Sequence, residues 1–160
     1  MFSSQKITPF LWFDNNAEEA VNYYISIFKN SKLVSLNRFP DAVPEMAGKV
    51  MTAVFELDGQ PLMALDGGPH FKFTEAISLF VDCETQEEVD EYWEKLSAGG
   101  EIQQCGWLKD KFGLSWQIVP RALGEMMQDE DQAKAGRVMQ AMLQMKKIDL
   151  NLLKQAYDQE

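Results

Sequence analysis

The chain has 160 residues, of which 46% are hydrophobic and 25% are charged, as in an ordinary globular protein. Its formal net charge is −10, and it lacks the clustered Lys and Arg that phosphate contacts require. We therefore expect no nucleic-acid partner.

The apolar runs and the cysteines limit the cellular environment. No run approaches the roughly 20 apolar residues that span a bilayer, so we expect no membrane association. The first residues resemble a strand rather than a secretory signal. Cys83 and Cys105 form no metal-binding or redox motif. We expect a cytoplasmic protein with reduced cysteines.

The chain contains an internal repeat. Leu11-Trp-Phe-Asp14 aligns with Leu79-Phe-Val-Asp82 at an offset of 68 residues (Leu11 to Leu79), and the helical positions that follow stay in register. Chance similarity between two amphipathic strand–helix pairs is the alternative, but polar and apolar positions match across both elements. We predict one domain, 1–120, built from the units 7–66 and 76–120.

In the first unit a strand over 7–13 precedes a helix that Asn15 or Asn16 can cap. Three strands follow, at 32–38, 49–57 and 60–65. The last two are joined by Asp58-Gly59, a strong signal for a two-residue hairpin turn.

The second unit repeats this order in less space. After a strand over 77–81, Thr85 and Glu88 form a capping box that begins a helix. The offset then falls from 68 residues to 54 (Gly59 to Gly113), so this copy is shorter by 14 residues. We expect strands over 103–109 and 114–119 and at most a vestige of another.

The remaining segment, 121–160, is a predicted helical extension. Its helices cover 122–128, 132–146 and 150–157, and Asp131 and Asp149 are the expected N-caps of the last two. We expect this extension to pack on the same domain or on a dimer partner. A methionine-lined surface for a ligand or partner is the alternative.

Strand alternation predicts which side chains line a ligand groove. Ile77, Leu79 and Val81 suit the helix side of their sheet, and Ser115 and Gln117 face the opposite side. The candidate ligand-binding residues are Phe10, Trp12, Ser78, Phe80 and Gln117, with Trp107, Trp116, Phe71 and Phe73 placed to close the groove. An aromatic, weakly polar groove suits a small organic ligand.

Catalytic signals are weak. The single histidine, His70, lies in the segment between the units, where it could act as a base or join Asp66 and Glu75 around a metal ion. A lone histidine in a loop is more often incidental. Nucleophile-elbow and phosphate-loop patterns are missing from the sequence.

Four segments together resemble the vicinal oxygen chelate superfamily (glyoxalase, bleomycin resistance and dioxygenase proteins), and its PhnB-like branch most closely. They are Ile7-Thr-Pro-Phe-Leu-Trp-Phe-Asp14, Ala17-Glu-Glu-Ala-Val-Asn-Tyr-Tyr24, Leu57-Asp-Gly-Gln-Pro-Leu-Met-Ala-Leu-Asp66 and Asp110-Lys-Phe-Gly-Leu-Ser-Trp-Gln117. With the helical extension, the resemblance covers nearly the whole chain. It implies an α+β fold in which two βαβββ units, the second shortened, form a concave sheet.

The resemblance also bears on chemistry. Similar proteins carry a 3-demethylubiquinone-9 3-methyltransferase label, but a methyl-donor site normally needs a glycine-rich turn in a doubly wound sheet, which this sequence does not predict. Metal-using members place His or Glu at positions that correspond here to Thr8, Met63, Ala76 and Gln117. These residues supply neither imidazole nor carboxylate. We predict no metal and no cofactor.

The leading hypothesis is a metal-free, homodimeric protein that binds a small organic ligand, with the acidic charge favouring a cationic or neutral one. One alternative is an enzyme of the vicinal oxygen chelate type, either metal-dependent through His70, Asp66 or Glu75, or a metal-free lyase, isomerase or transferase. Another is a partner-binding module built on the methionine-rich extension. The sequence alone does not decide between an enzyme and a binding protein.

Overall fold

The computed structural model describes residues 5–159, and the chain divides into two units between Lys72 and Phe73. The elements of the first unit, in chain order, are β1 (Phe10–Phe13), α1 (Ala17–Ile27), β2 (Lys32–Arg38), β3 (Val50–Leu57) and β4 (Gln60–Asp66). The strands form a mixed sheet in the order β1-β4-β3-β2, with β1 parallel to β4. The predicted hairpin joins β3 to β4, and both Asp58 and Gly59 have positive φ, as a type I′ turn requires.

Helix α1 begins with a cap that the sequence did not reveal. Asn16 occupies the N-cap position, as one of the two predicted candidates, but its side chain makes no capping hydrogen bond to any described residue. Instead the buried carboxylate of Asp66 accepts from the Ala17 N–H at 2.9 Å through Oδ1 and from the Val50 N–H at 2.9 Å through Oδ2. A carboxylate at a helix N-terminus satisfies a free donor and complements the helix dipole.

The second unit repeats the same topology. Its elements are β5 (Ser78–Cys83), α2 (Gln86–Ser97), β6 (Glu101–Ile102), β7 (Trp107–Lys109) and β8 (Ser115–Pro120). They form a sheet in the order β5-β8-β7-β6, with β5 parallel to β8. All four strands of the repeat are therefore present. The missing length comes from shortening β6 and β7 and the loop between them, rather than from losing a strand.

The capping box of α2 is confirmed. The Thr85 hydroxyl accepts from the Glu88 N–H at 3.2 Å, and the Glu88 carboxylate accepts from the Glu84 N–H at 3.1 Å. The carboxylate thus reaches one residue further back than in the usual motif. The two helices of the repeat begin differently, because α1 is capped by a residue at the end of β4 and α2 by Thr85, the residue directly before it.

The C-terminal extension forms α3 (Arg121–Met127), α4 (Gln132–Leu143) and α5 (Leu150–Asp158), which belong to the second unit. Asp131 and Asp149 are N-caps as predicted, each accepting from backbone N–H groups of its own helix. A hydrophobic cluster joins the helices to the end of β8, and its buried members are Val119, Leu123, Met126, Val138, Met145, Ile148 and Leu153. Within residues 5–159, no helix is long and apolar enough to cross a membrane.

Polar contacts also bind the extension to α2. The Gln86 amide donates to the Ile148 carbonyl at 3.0 Å and accepts from the Leu150 N–H at 2.7 Å. Lys147 pairs with Asp90 at 2.9 Å. The extension is therefore fixed to the second unit by both apolar packing and paired polar groups.

Candidate functional site

The open face of the first sheet carries an aromatic pair. Trp12 is half-buried, and its indole Nε1–H donates to the Gly68 carbonyl at 3.0 Å. The exposed ring of Phe71 meets the Trp12 ring edge-on, with centroids 4.9 Å apart. At Gly67 a Cβ atom would lie 2.2 Å from the indole, so the glycine makes room for this ring. Phe10, 47% exposed, lies two residues earlier on β1.

In the second unit, the strand register places three candidate residues in one row. Phe80 on β5 is paired with Gln117 on β8, which is paired with Trp107 on β7. Phe80 is 58% exposed, and the other two are half-buried. The Gln117 amide donates to the half-buried Ser78 hydroxyl at 2.9 Å, which fixes the orientation of its side chain. Phe73 is half-buried and does not line the cleft described below.

Three positions differ from the predictions made from the sequence. Ile77 was expected on the helix side but is 74% exposed, because β5 begins only at Ser78. Ser115 shares a face with Gln117 yet is fully buried, and its hydroxyl has no hydrogen-bond partner among the described residues. Trp116, expected to close the groove, is a core residue whose indole donates to the buried Asp110 carboxylate at 2.8 Å.

A cleft of about 520 Å³ opens between this aromatic row and the helices α3 and α4. Its volume falls in the range of small-molecule sites. The lining residues are Phe80, Asp82, Cys105, Trp107, Gln117, Val119, Pro120, Arg121, Leu123, Gly124, Glu125, Met127, Gln128 and Met142. One wall is therefore the sheet of the repeat and the other is the C-terminal extension.

The walls of the cleft are mainly apolar and adaptable. Met127 and Met142 are half-buried and extend the surface that Phe80 and Trp107 begin. Methionine side chains are flexible and contact aromatic rings favourably. The methionines of the extension thus divide between two environments, since Met145 packs in the core while Met127 and Met142 line a concave surface.

An ion pair lies at the edge of the cleft. Arg121 at the start of α3 contacts Asp82 at the end of β5 through two nitrogens, Nε at 2.9 Å and Nη2 at 2.8 Å. A further contact joins Arg121 to Glu84 at 3.5 Å. These contacts raise the pKa of Arg121, with Asp82 as the main cause. Glu125, also on α3, is exposed and has no ion-pair partner within residues 5–159.

The two cysteines have different environments. Burial raises the pKa of the Cys83 thiol to about 12, so this residue is an inert packing group at neutral pH. Cys105 is half-buried, lines the cleft and has a φ of 59°. Its N–H donates to the Met145 carbonyl at 2.8 Å, which adds another link between β-sheet and extension.

The residues present do not fit a divalent metal ion. Both carboxylate oxygens of Asp66 accept from backbone N–H groups, and Glu75 pairs with Lys109, which lowers the pKa of Glu75. Within residues 5–159, no three His, Cys, Asp or Glu side chains are grouped so that they could hold a metal. The metal-dependent alternative through His70, Asp66 and Glu75 is therefore not supported by the chemistry of these groups.

Two βαβββ units in one chain are characteristic of the vicinal oxygen chelate fold. Comparison with known proteins supports the assignment of this fold. The sequence profile described as 3-demethylubiquinone-9 3-methyltransferase matches residues 5–119. The chain belongs to this family. The PhnB protein from Bacillus cereus is 43% identical over 72% of this chain and 99% of its own, with a TM-score of 0.68. No match was found among curated proteins.

More distant structures share the fold. A protein from Pseudomonas aeruginosa is 22% identical over 73% of this chain and 98% of its own, with a TM-score of 0.64. The fosfomycin resistance protein FosX from Listeria monocytogenes is 16% identical over 72% of this chain and 90% of its own, with a TM-score of 0.52. Because the family match ends at residue 119, the C-terminal extension lies outside it, whereas the sequence resemblance had included it.

The family description names a methyltransferase, but the description alone assigns no activity to this chain. Each described sheet has only one parallel strand pair, so neither is the doubly wound parallel sheet on which a methyl-donor site is normally built. Fold membership does not determine the reaction.

Sequence reasoning considered a methionine-lined surface on the extension, but it missed the polar residues of α3 and the position of this helix opposite the strands. Arg121, Gly124, Glu125 and Gln128 recur at the spacing of one helix face, and this pattern was available as a signal. The pattern could not identify the opposite wall of the cleft, because the spacing of residues within a helix does not tell which sheet face the helix packs against.

Proposed function

We propose that the protein binds a small organic molecule in the cleft of the second unit, without a metal ion. The observation that carries this proposal is the concave surface of about 520 Å³ between the row Phe80, Gln117 and Trp107 and the helices α3 and α4. An apolar cleft with a few fixed polar groups is the usual form of a ligand site. Gln117, oriented by Ser78, is the proposed hydrogen-bonding group.

The superfamily supports a binding role but not a particular ligand. The FosX structure is described as a complex with Mn(II) and 1S,2S-dihydroxypropylphosphonic acid. Neither group is carried over to this chain. The positions that correspond to metal ligands hold Thr8, Met63, Ala76 and Gln117, which do not supply a site for a divalent ion.

The open face of the first unit is a second, separate candidate surface. Phe10, Trp12 and Phe71 offer aromatic area there. Trp12→Ala tests this surface. A ligand that contacts it should bind more weakly to the variant, and a ligand confined to the cleft of the second unit should not.

We also propose a cytoplasmic homodimer. Strand β2 is an edge strand of its sheet and exposes Leu33 and Val34 at 41% and 40%, and an exposed apolar edge favours pairing with a second chain. Light scattering of the wild type should give a dimer mass, and Val34→Lys should lower it. A monomeric wild type contradicts this part of the proposal.

A large side chain introduced into the cleft tests whether the cleft is the ligand site. In the described structure Gly124 lines the cleft and a side chain there would meet open space, whereas Gly136 has similar space on α4 but lies outside the cleft. Ligand-detected NMR against a panel of metabolites and antibiotics should identify compounds that bind the wild type and Gly136→Phe but not Gly124→Phe. The proposal fails if the panel contains no binder, or if both variants bind every compound equally.

A further inference from the structure

We infer that the cleft selects an organic cation with an apolar body, and that Glu125 is the group that recognises its charge. This inference rests on the proposed function of the cleft, and it adds the chemical class of the ligand. Three observations support it: the distribution of charge within the cleft, the aromatic surface beside that charge, and the negative net charge of the protein.

The charges in the cleft are unequal. Its lining contains one cation, Arg121, and two carboxylates, Asp82 and Glu125. Arg121 lies four residues before Glu125 on the same helix, a spacing that allows a pair. However, its guanidinium contacts Asp82 and Glu84 instead. Glu125 is therefore the one carboxylate of the lining that no cation of the described chain neutralises.

An anionic ligand would meet two obstacles. Its charge would face Glu125, and it could reach Arg121 only by competing with the carboxylate of Asp82, which holds the guanidinium at 2.8 Å and 2.9 Å. A cation meets neither obstacle. The arrangement thus discriminates against the wrong charge as well as attracting the right one.

The aromatic row adds to this preference. Phe80 and Trp107 lie in one row of the sheet with the Gln117 amide between them. The face of an aromatic ring attracts an ammonium group, while Met127 and Met142 offer an adaptable surface to the apolar body of the ligand. The net charge of −10 raises the local concentration of cations around the protein.

The preference can be measured with three benzyl compounds of similar size. They are benzyltrimethylammonium, benzyl alcohol and phenylacetate, whose dissociation constants are determined by ligand-detected NMR titration. We expect the cation to bind about fivefold more tightly than the alcohol, as an exposed charge contact and a cation–π contact allow, and the anion to bind most weakly.

Two glutamine variants separate the contact from the general field. Glu125→Gln should reduce the advantage of the cation to the part that the aromatic rings supply, and leave the dissociation constant of benzyl alcohol unchanged. Glu130→Gln removes the same charge from an exposed position outside the lining, and it should preserve the advantage. Equal losses in both variants, or no advantage in the wild type, would overturn the inference.

The result also distinguishes this inference from the proposed function. Suppose that benzyl alcohol binds as tightly as the cation, and that Gly124→Phe abolishes the binding of both. The cleft then stands as a ligand site, and the charge preference fails. If none of the three compounds binds the wild type, the inference fails and the panel of metabolites and antibiotics decides the ligand site. If Gly124→Phe leaves all binding unchanged, the ligand site fails together with the inference.

Discussion

The two units share one strand order but differ in what lies over the open face of the sheet. In the first unit α1 packs on one face, and the other face carries the aromatic side chains of Phe10 and Trp12. In the second unit α2 packs on one face, and α3 and α4 wall part of the other to form the cleft. The repeat therefore supplies a surface, and the added helices convert one copy of that surface into a concave site.

The units also differ in how they stabilise their helix. The helix of the first unit depends on the buried carboxylate at the end of β4, which accepts from its first N–H, and the helix of the second unit depends on Thr85 directly before it. The largest stability effects should therefore come from different kinds of residue in each unit.

The largest effect is expected at Asp66 in the first unit. Asp66→Ala leaves the N–H groups of Ala17 and Val50 without their acceptor in a buried place, and we expect a loss of about 4 kcal/mol in the free energy of unfolding. Urea denaturation measures this loss. Asp14→Ala, at an exposed position near the same helix, should change stability by less than about 0.5 kcal/mol.

The next effect tests how far the second unit depends on its extension. Ile148 is fully buried in the cluster that joins the helices to β8, and it lies 3.1 Å from where a Cβ of Gly106 would be. Ile148→Ala should cost about 3 kcal/mol. The exposed Ile77 gives the control, since Ile77→Ala should be nearly neutral. A nearly neutral Ile148→Ala would mean that the extension is not docked as described.

A smaller effect compares the two helix caps directly. Thr85→Ala removes the hydroxyl that accepts from the Glu88 N–H, and it should cost about 1 kcal/mol. Asn16 holds the corresponding position in the first unit without a capping hydrogen bond of its side chain to any described residue. Asn16→Ala should therefore cost clearly less than Thr85→Ala. Equal costs, measured by thermal unfolding, would contradict the difference between the caps.

The smallest effect concerns a partly buried contact within the extension. The Tyr157 hydroxyl donates to the Asp129 carboxylate. This bond lowers the pKa of Asp129 from 3.8 and raises that of Tyr157 from 10.0. The hydrogen bond therefore contributes fully to the stability of the fold between pH 3.8 and pH 10.0. This stabilisation is lost as the pH falls through the lowered pKa of Asp129 or rises through the raised pKa of Tyr157.

Tyr157→Phe should accordingly lower the Tm slightly at neutral pH and have no effect at a pH low enough to protonate Asp129. Circular dichroism melts at pH 7 and at about pH 2 make this comparison. A difference in Tm that is the same at both values would show that the substitution acts through packing rather than through the hydrogen bond.

Much of the fold could be predicted because its signals are local. Period-two and helical patterns identify the strands and helices, Asp58-Gly59 determines a hairpin, and Thr85 and Asp131 begin their helices as expected. The strands β6 and β7 have only two and three residues, too short for a pattern to define, so the second copy was expected to lose a strand. Alternation also fails at Ile77, since it applies only within the sheet.

The site was less predictable because its key contacts are distant in sequence. The cap that Asp66 gives to Ala17 joins residues 49 positions apart. Likewise, Phe80 and Met142 line one cleft although no local pattern connects a strand of the repeat to a helix of the extension. Sequence reasoning identified the row Phe80, Gln117 and Trp107 as candidates, and only the packing of α3 and α4 shows what lies opposite.

The indole N–H resonances of the four tryptophans test the central claim, that the ligand site is the cleft of the second unit. Trp107 lines the cleft, Trp12 lies on the first unit, and Trp93 and Trp116 are buried. In a titration with benzyltrimethylammonium, followed by heteronuclear NMR, the account predicts a saturable shift of the Trp107 resonance. A saturable shift of Trp12 with Trp107 unchanged would contradict it.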